Sequence, residues 1–94
     1  MKMGKVVGNV WATRKEEGLQ GLKFLIVQPM DLDGQKVSTQ FVAVDRIGAG
    51  VGDEVLVTNG GASRYIIRDQ PIPIDSVIIG IIDSMEIKRG EMNE

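Results

Sequence analysis

The side chains that most often carry out catalysis or bind metals are scarce in this sequence. Its 94 residues include no cysteine and no histidine, which removes disulfides, the common zinc sites and two of the usual catalytic groups. Nucleophilic catalysis would then depend on serine with lysine, or on carboxylates. The serines Ser38, Ser63, Ser76 and Ser84 stand in no recognisable nucleophile motif. We therefore expect a protein that is not an enzyme and that needs no cofactor.

A short acidic motif between two strand-like segments imitates the start of a calcium loop. Asp31, Asp33 and Gly34 resemble the first positions of such a loop, but the glycine comes too early and no closing glutamate follows at the required spacing. The Asp-Gly pair is instead typical of a hairpin turn in which glycine adopts a positive φ. We predict a solvated turn here, and no metal site.

Three alternating glycines, Gly48, Gly50 and Gly52, imitate a phosphate-binding loop. Phosphate binding requires that a helix begin after the glycines, so that its free N–H groups and its dipole meet the anion. Here Asp53 and Glu54 place negative charge at that point, and a strand-like segment follows. The motif therefore predicts a tight turn, or a place where the backbones of neighbouring subunits crowd together.

The elements that would hold these motifs are short and β-like. Strand patterns separated by turn residues occur at 5–13, 22–28, 40–44, 53–58 and 76–85. One helical turn is expected at 62–64, and the charged tail 88–94 is expected to fray. Five short strands with turn-rich links are typical of a small barrel or sandwich. We predict an all-β, five-stranded OB-like barrel in one domain spanning 1–87.

The size of the chain favours self-association. A domain of 94 residues buries only about 60–65% of the surface that its unfolded chain exposes. Small domains compensate with disulfides, a metal or oligomerisation, and here only oligomerisation remains. The net charge of −2 gives no attraction to nucleic acid or to an anionic membrane, and no segment has the ~20 apolar residues of a membrane helix. We expect an oligomer in the cytoplasm, with neither nucleic acid nor a membrane as partner.

The last predicted strand is apolar on both faces. It contains Ile78, Ile79, Ile81 and Ile82, although a barrel strand needs only one apolar face. A subunit interface would bury the outward set, or the preceding loop would cover it within the subunit. One alternating set, Ile79 with Ile81 or else Ile78 with Ile82, would fill the barrel, and the period alone leaves open which. We favour the interface.

An OB-type module that binds nucleic acid is the main alternative function. Such a module needs a basic groove and aromatic side chains on which bases stack. Aromatic residues make up only 4% of the chain, whose charge balance is acidic; they are Trp11, Phe24, Phe41 and Tyr65. Trp11 and Phe41 fall in predicted strands, and we expect both to be packed.

Several short motifs follow one another in the order found in one known family. They are Gly8-x-Val10-x-Ala12-Thr13-Arg14-Lys15, Leu22-Lys23 to Val27-Gln28-Pro29, Val42-Ala43-Val44-Asp45 to Gly48-Ala49-Gly50-x-Gly52, Gly61-Ala62-Ser63-Arg64, Pro73-x-Asp75, and Val77-Ile78-Ile79-Gly80-Ile81-Ile82-Asp83. Each motif alone is weakly specific, but the ordered set resembles the EutN/CcmL family of bacterial microcompartment vertex proteins.

The resemblance implies a homopentamer of small barrels that closes a polyhedral shell built from hexameric shell proteins. We expect the crowded turn to lie near the symmetry axis and the last strand to contribute to the subunit interface. The candidate residues are Gly48, Ala49, Gly50, Val51, Gly52, Ile78, Ile79, Ile81 and Ile82. Charged loop residues are candidates for contacts with hexamers, although each alone could merely solubilise the surface; they are Arg14, Lys15, Glu16, Glu17, Arg64 and Arg68.

Overall fold

The computed structural model describes residues 1–12, 17–60 and 74–88, and most of their regular structure is β-strand. The strands are β1 (Lys2–Val10), β2 (Lys23–Pro29), β3 (Phe41–Asp45), β4 (Glu54–Asn59) and β5 (Ser76–Ile81). A 3₁₀ helix of three residues, Glu17–Leu19, lies between β1 and β2. The predicted all-β class is confirmed. No helix in the described residues has the length and apolar character needed to cross a membrane.

Some of the predicted elements lie outside the described residues, and β1 begins and ends at residues other than those predicted. The helical turn predicted at 62–64 and the tail predicted at 88–94, apart from Lys88, lie outside the described residues. β1 begins three residues earlier than expected, because Lys2 to Lys5 pair with β4. It ends at Val10, so Trp11 follows the strand instead of belonging to it.

The five strands form a closed barrel in the order β1-β2-β3-β5-β4, and β4 returns to β1. Neighbouring strands are antiparallel except β3 and β5, which are parallel and meet where Val44 pairs with Val77. This arrangement confirms the predicted five-stranded barrel. Because the barrel is closed, most strand edges are paired within the subunit.

The core of the barrel is aliphatic and small. Alternate residues of the strands point inward, as the period of two requires. The buried cluster consists of Val6, Leu25, Val27, Ala43, Ala49, Val55, Val57 and Ile78, with Phe41 packed against it. Each fully buried valine, leucine or isoleucine side chain contributes about 1.5–3 kcal/mol. The described residues supply a small number of such side chains, which agrees with the expectation of a small core.

β1 approaches β2 closely at its beginning and bulges in its middle. A Cβ at Gly4 would overlap Val27 Cγ1 and lie 2.8 Å from the carbonyl oxygen of Gln28, so only glycine fits there. A register shift between Val6 and Gly8 marks a bulge. The intervening Val7 is 42% exposed. Val7 is thus the extra residue of the bulge, and beyond it the pairing of β1 with β2 is shifted by one residue.

The connection between β2 and β3 is held by side-chain hydrogen bonds. The buried Gln28 donates from Nε2 to the carbonyls of Pro29 and Ser38, both at 3.0 Å. Asp31 Oδ1 accepts hydrogen bonds from the N–H groups of Asp33 and Gln35 at 2.9 Å. Together with Gly34, whose φ is 80°, these bonds confirm the predicted turn.

Among the described residues, no three His, Cys, Asp or Glu side chains group so that they could hold a metal ion.

Candidate functional site

The turn between β3 and β4 contains the residues predicted to lie near a symmetry axis. Gly48 and Gly52 have φ values of 92° and 98°, in the left-handed region that favours glycine. Gly52 donates its N–H to the carbonyl of Val6 at 2.9 Å, and Gly50 donates to the carboxylate of Asp53 at 2.9 Å. These bonds tie the turn to β1 and to the start of β4. The prediction of a tight turn followed by a strand is confirmed.

Asp45 fixes the first half of this turn from inside the protein. Its side chain is buried and accepts N–H groups from Ile47 at 3.2 Å and from Ala49 at 3.0 Å. Lys23 Nζ lies 3.6 Å from Asp45 Oδ2 and donates to the Ala49 carbonyl at 2.7 Å. This role of Asp45 was not predicted from the sequence. The available signal was an aspartate directly before a glycine-rich turn, where such side chains cap backbone N–H groups.

Ala49 is drawn into the core by these bonds and has 0% of its surface exposed. The side chain of Ala49 therefore faces its own barrel, and the predicted position of the turn near a symmetry axis does not involve this side chain. Gly48, Val51 and Gly52 are exposed, and Val51 is 61% exposed. A position near the axis remains a prediction for these exposed residues of the turn.

β5 contains a bulge that the sequence did not reveal. Leu56 of β4 pairs with Gly80, whereas the next residue, Val57, pairs with Ile78. Ile79 is thus the extra residue of the bulge. The two predicted alternating sets assumed an unbroken period of two, whereas the bulge shifts the pairing with β4 by one residue.

The exposures of the isoleucines nevertheless divide as the second predicted alternative has them, with Ile78 and Ile82 on the more buried side and Ile79 and Ile81 on the exposed side. Ile78 fills the core and is 1% exposed, whereas Ile79 and Ile81 are 38% and 39% exposed. Ile82 follows the strand, is half-buried and donates its N–H to the Glu54 carbonyl at 2.8 Å. Ile79 and Ile81 therefore remain candidates for a subunit interface, and Ile78 does not.

The charged residues predicted to contact other shell subunits are mostly beyond the described part of the chain. Glu17 is exposed and begins the 3₁₀ helix. The other candidates, Arg14, Lys15, Glu16, Arg64 and Arg68, lie outside the described residues. Their contact with neighbouring shell proteins stays a prediction.

An exposed aromatic residue forms part of a surface that was not predicted from the sequence. Trp11 is 85% exposed, so the expectation that it packs within a strand is wrong, whereas Phe41 does lie in β3 against the core. Trp11 forms part of an open recess of about 460 Å³ at the end of the β1–β2 pair. The recess is lined by Asn9, Val10, Trp11, Ala12, Leu22, Lys23 and Phe24.

The sequence and the barrel are both similar to proteins of described role. The family model described as "Ethanolamine utilisation protein EutN/carboxysome" matches residues 1–83. The carboxysome shell vertex protein CcmL of Synechococcus elongatus is 42% identical over 88 residues, which cover 94% of this chain and 89% of that protein.

Two solved structures superpose closely on the barrel. CcmL of Gloeobacter violaceus has a TM-score of 0.86 and 39% identity, covering 93% of this chain and 90% of that one. GrpN, a pentameric microcompartment shell protein from Rhodospirillum rubrum, has a TM-score of 0.84 and 35% identity, covering 95% of this chain and 100% of that one.

Proposed function

Because this chain belongs to the EutN/CcmL family, we propose that it is a structural shell protein whose homopentamers occupy the vertices of a bacterial microcompartment. The observation that carries the proposal is the match of nearly the whole chain to shell vertex proteins. Its barrel also matches that of a pentameric shell protein. The role is structural and not catalytic.

The exposed apolar residues of the barrel support assembly into a ring. Trp11, Val51, Ile79 and Ile81 are all at least 38% exposed in the single subunit. A small soluble domain that stayed monomeric would leave these side chains in water, with a core too small to compensate. Contacts between copies would remove part of this apolar surface from water and so stabilise the subunit.

The neighbours of the ring in the shell would be hexameric shell proteins. Hexagonal tiles alone form flat or rolled sheets, and a closed polyhedron requires units of lower symmetry at its corners. A pentamer has that symmetry. Exposed charges such as Glu17 would determine the orientation in which the pentamer docks on the hexamers more than the affinity of that contact. Each contact would be weak, and their number around the ring would make the vertex stable.

Deleting the gene in its host tests the proposed function. We expect elongated or unsealed shells that leak intermediates, because corners without pentamers cannot close. The encapsulated enzymes should keep their specific activities, since this chain performs no chemistry. Electron microscopy of the compartments and assays of the released enzymes measure both results.

Complementation supplies the matched controls for this deletion. The wild-type gene should restore closed shells, and a variant that does not fold, such as Ile78→Asp, should not. Closed and normally shaped shells in the deletion strain, in a genome that encodes no second vertex protein, would show that the proposed function is wrong.

Nucleic-acid binding is favoured by one observation, the exposed face of Trp11. Base stacking requires such an aromatic surface, together with a basic groove. Among the described residues that line the Trp11 recess, Lys23 is the one with a charged side chain, and its ammonium group already contacts Asp45 and the Ala49 carbonyl. The described part of the recess therefore offers little of the positive charge that a nucleic-acid site needs. A gel-shift assay at modest salt separates this alternative from the shell function.

A further inference from the structure

Trp11 is the only tryptophan of the chain, and its side chain is 85% exposed. Aromatic side chains bury about 150–250 Å² each when they are packed, so Trp11 leaves a large apolar area in water. Among the described large apolar residues, none has a higher exposed fraction. Isolated surface apolar residues are ordinary, but a tryptophan beside an apolar recess is typical of an interaction surface.

The lining of the recess favours a permanent protein contact over a transient polar one. Val10, Leu22 and Phe24 provide apolar walls, and Asn9 is an uncharged polar neighbour. The ammonium group of Lys23 is held by Asp45 and the Ala49 carbonyl. Interfaces between permanently associated subunits have such apolar, weakly charged centres, whereas contacts between separately stable assemblies are more polar.

The strand that leads to Trp11 also has an edge that its own barrel does not cover within the described residues. β1 pairs with β4 only from Lys2 to Lys5, and beyond the Val6 contacts with Gly52 and Asp53 its described pairing is with β2 alone. A strand edge of this kind readily accepts backbone contacts from another chain. The edge and the recess are continuous, because Val10 belongs to both.

We propose that Trp11 is an anchor of the contact between adjacent copies of this chain in the ring. The proposal rests on the proposed function, which requires a ring. In a cyclic assembly one surface of each subunit meets a different surface of the next, so every subunit must offer a protrusion or recess that its neighbour complements. Trp11 and its recess form one of these surfaces, and the neighbouring copy covers them.

The emission of Trp11 reports directly on this contact, because no other tryptophan contributes. We expect the purified, assembled protein to show blue-shifted emission and reduced quenching by acrylamide, both relative to the unfolded protein. In the Ile79→Asp variant, if it dissociates, the emission should move to longer wavelength while the circular dichroism of the barrel is retained. Native mass spectrometry of the same samples gives the oligomeric state.

Substitution of Trp11 provides a second test of the proposed contact. Trp11→Ala should raise the dissociation constant of the ring at least about thirtyfold, because truncating an aromatic anchor at the centre of an interface has an effect of that size. Trp11→Phe should restore part of the affinity. Leu32→Ala is the matched control, since Leu32 is 53% exposed in a turn at the other end of β2, and it should leave assembly unchanged.

The outcomes separate this inference from the proposed function. A ring in which Trp11 is as accessible to acrylamide as in the unfolded protein would overturn the inference and leave the proposed function intact. Assembly of Trp11→Ala with the wild-type dissociation constant would do the same. A wild-type protein that is monomeric at all concentrations would overturn both.

Discussion

The carboxylate of Asp45 connects the end of β3 to the exposed turn that follows. It accepts two backbone N–H groups, and the alanine that donates one of them is thereby held in the core. A buried N–H without an acceptor destabilises a protein by about 1–3 kcal/mol. The position of the turn therefore depends on one side chain and not on the glycines alone.

We predict that Asp45→Ala lowers the free energy of unfolding by about 2–4 kcal/mol, because two backbone donors lose their acceptor. Asp45→Asn should lose less, since its amide oxygen still accepts one of them. Urea denaturation measures both changes. All variants are compared at the same protein concentration, because association contributes to the apparent stability. Asp83→Ala, at an exposed aspartate, is the control. Equal stability of Asp45→Ala and Asp83→Ala would contradict this role.

At the scale of the elements, two adjacent isoleucines of β5 are opposite test cases, because one is buried and the other is exposed. Ile78→Asp should unfold the subunit, because an unpaired charge in the core costs several kcal/mol. Ile79→Asp should leave the barrel folded and weaken assembly, because Ile79 is exposed. Circular dichroism and light scattering distinguish the two results. An intact oligomer of folded Ile79→Asp would place the interface away from the bulge.

The strands were largely predictable, since alternating apolar residues and the glycines between them mark their positions. The bulges at Val7 and Ile79 were not, because a bulge depends on how a strand pairs with its partner and leaves no trace in a two-residue period. The burial of Ala49 was hidden for a related reason. A small residue between glycines looks like any turn residue, and its burial depends on bonds to Asp45 and Lys23.

The candidate assembly surfaces were only partly predictable from one chain. The exposed Ile79 and Ile81 agree with an outward apolar set, but the sequence placed Trp11 in a strand interior, where aromatic residues are common. Its exposure follows because β1 ends at Val10, three residues before the predicted end of the strand at 13. Which residues lie near a symmetry axis depends on how several copies pack, and no pattern within a single chain encodes that directly.

At the scale of the whole assembly, the exposed turn around Val51 provides a test of the predicted axis. Val51→Lys would bring one positive charge per copy to the axis, and like charges closer than the Debye length, about 10 Å at 0.1 M salt, repel one another. We expect the ring to dissociate at low salt and to recover at high salt. Native mass spectrometry across a salt series measures this.

Leu32→Lys is the control for that series, because Leu32 is exposed in a different turn. It should assemble at every salt concentration, since a peripheral charge has no symmetry mates nearby. If Val51→Lys also assembles normally at the lowest salt, the turn lies away from the axis and its glycines serve only the local backbone.

The position of β5 in the barrel has a consequence for how the protein is made. β5 is the last of the five strands along the chain, yet it lies between β3 and β4. A nascent chain that has emerged only as far as β4 can pair its first strands but leaves the facing edges of β3 and β4 open. The barrel therefore closes only when β5 has left the ribosome, through contacts distant in sequence. Ring formation must then follow the closure of each barrel, and a truncated chain that ends before β5 would be a substrate for chaperones and proteases instead of a defective vertex.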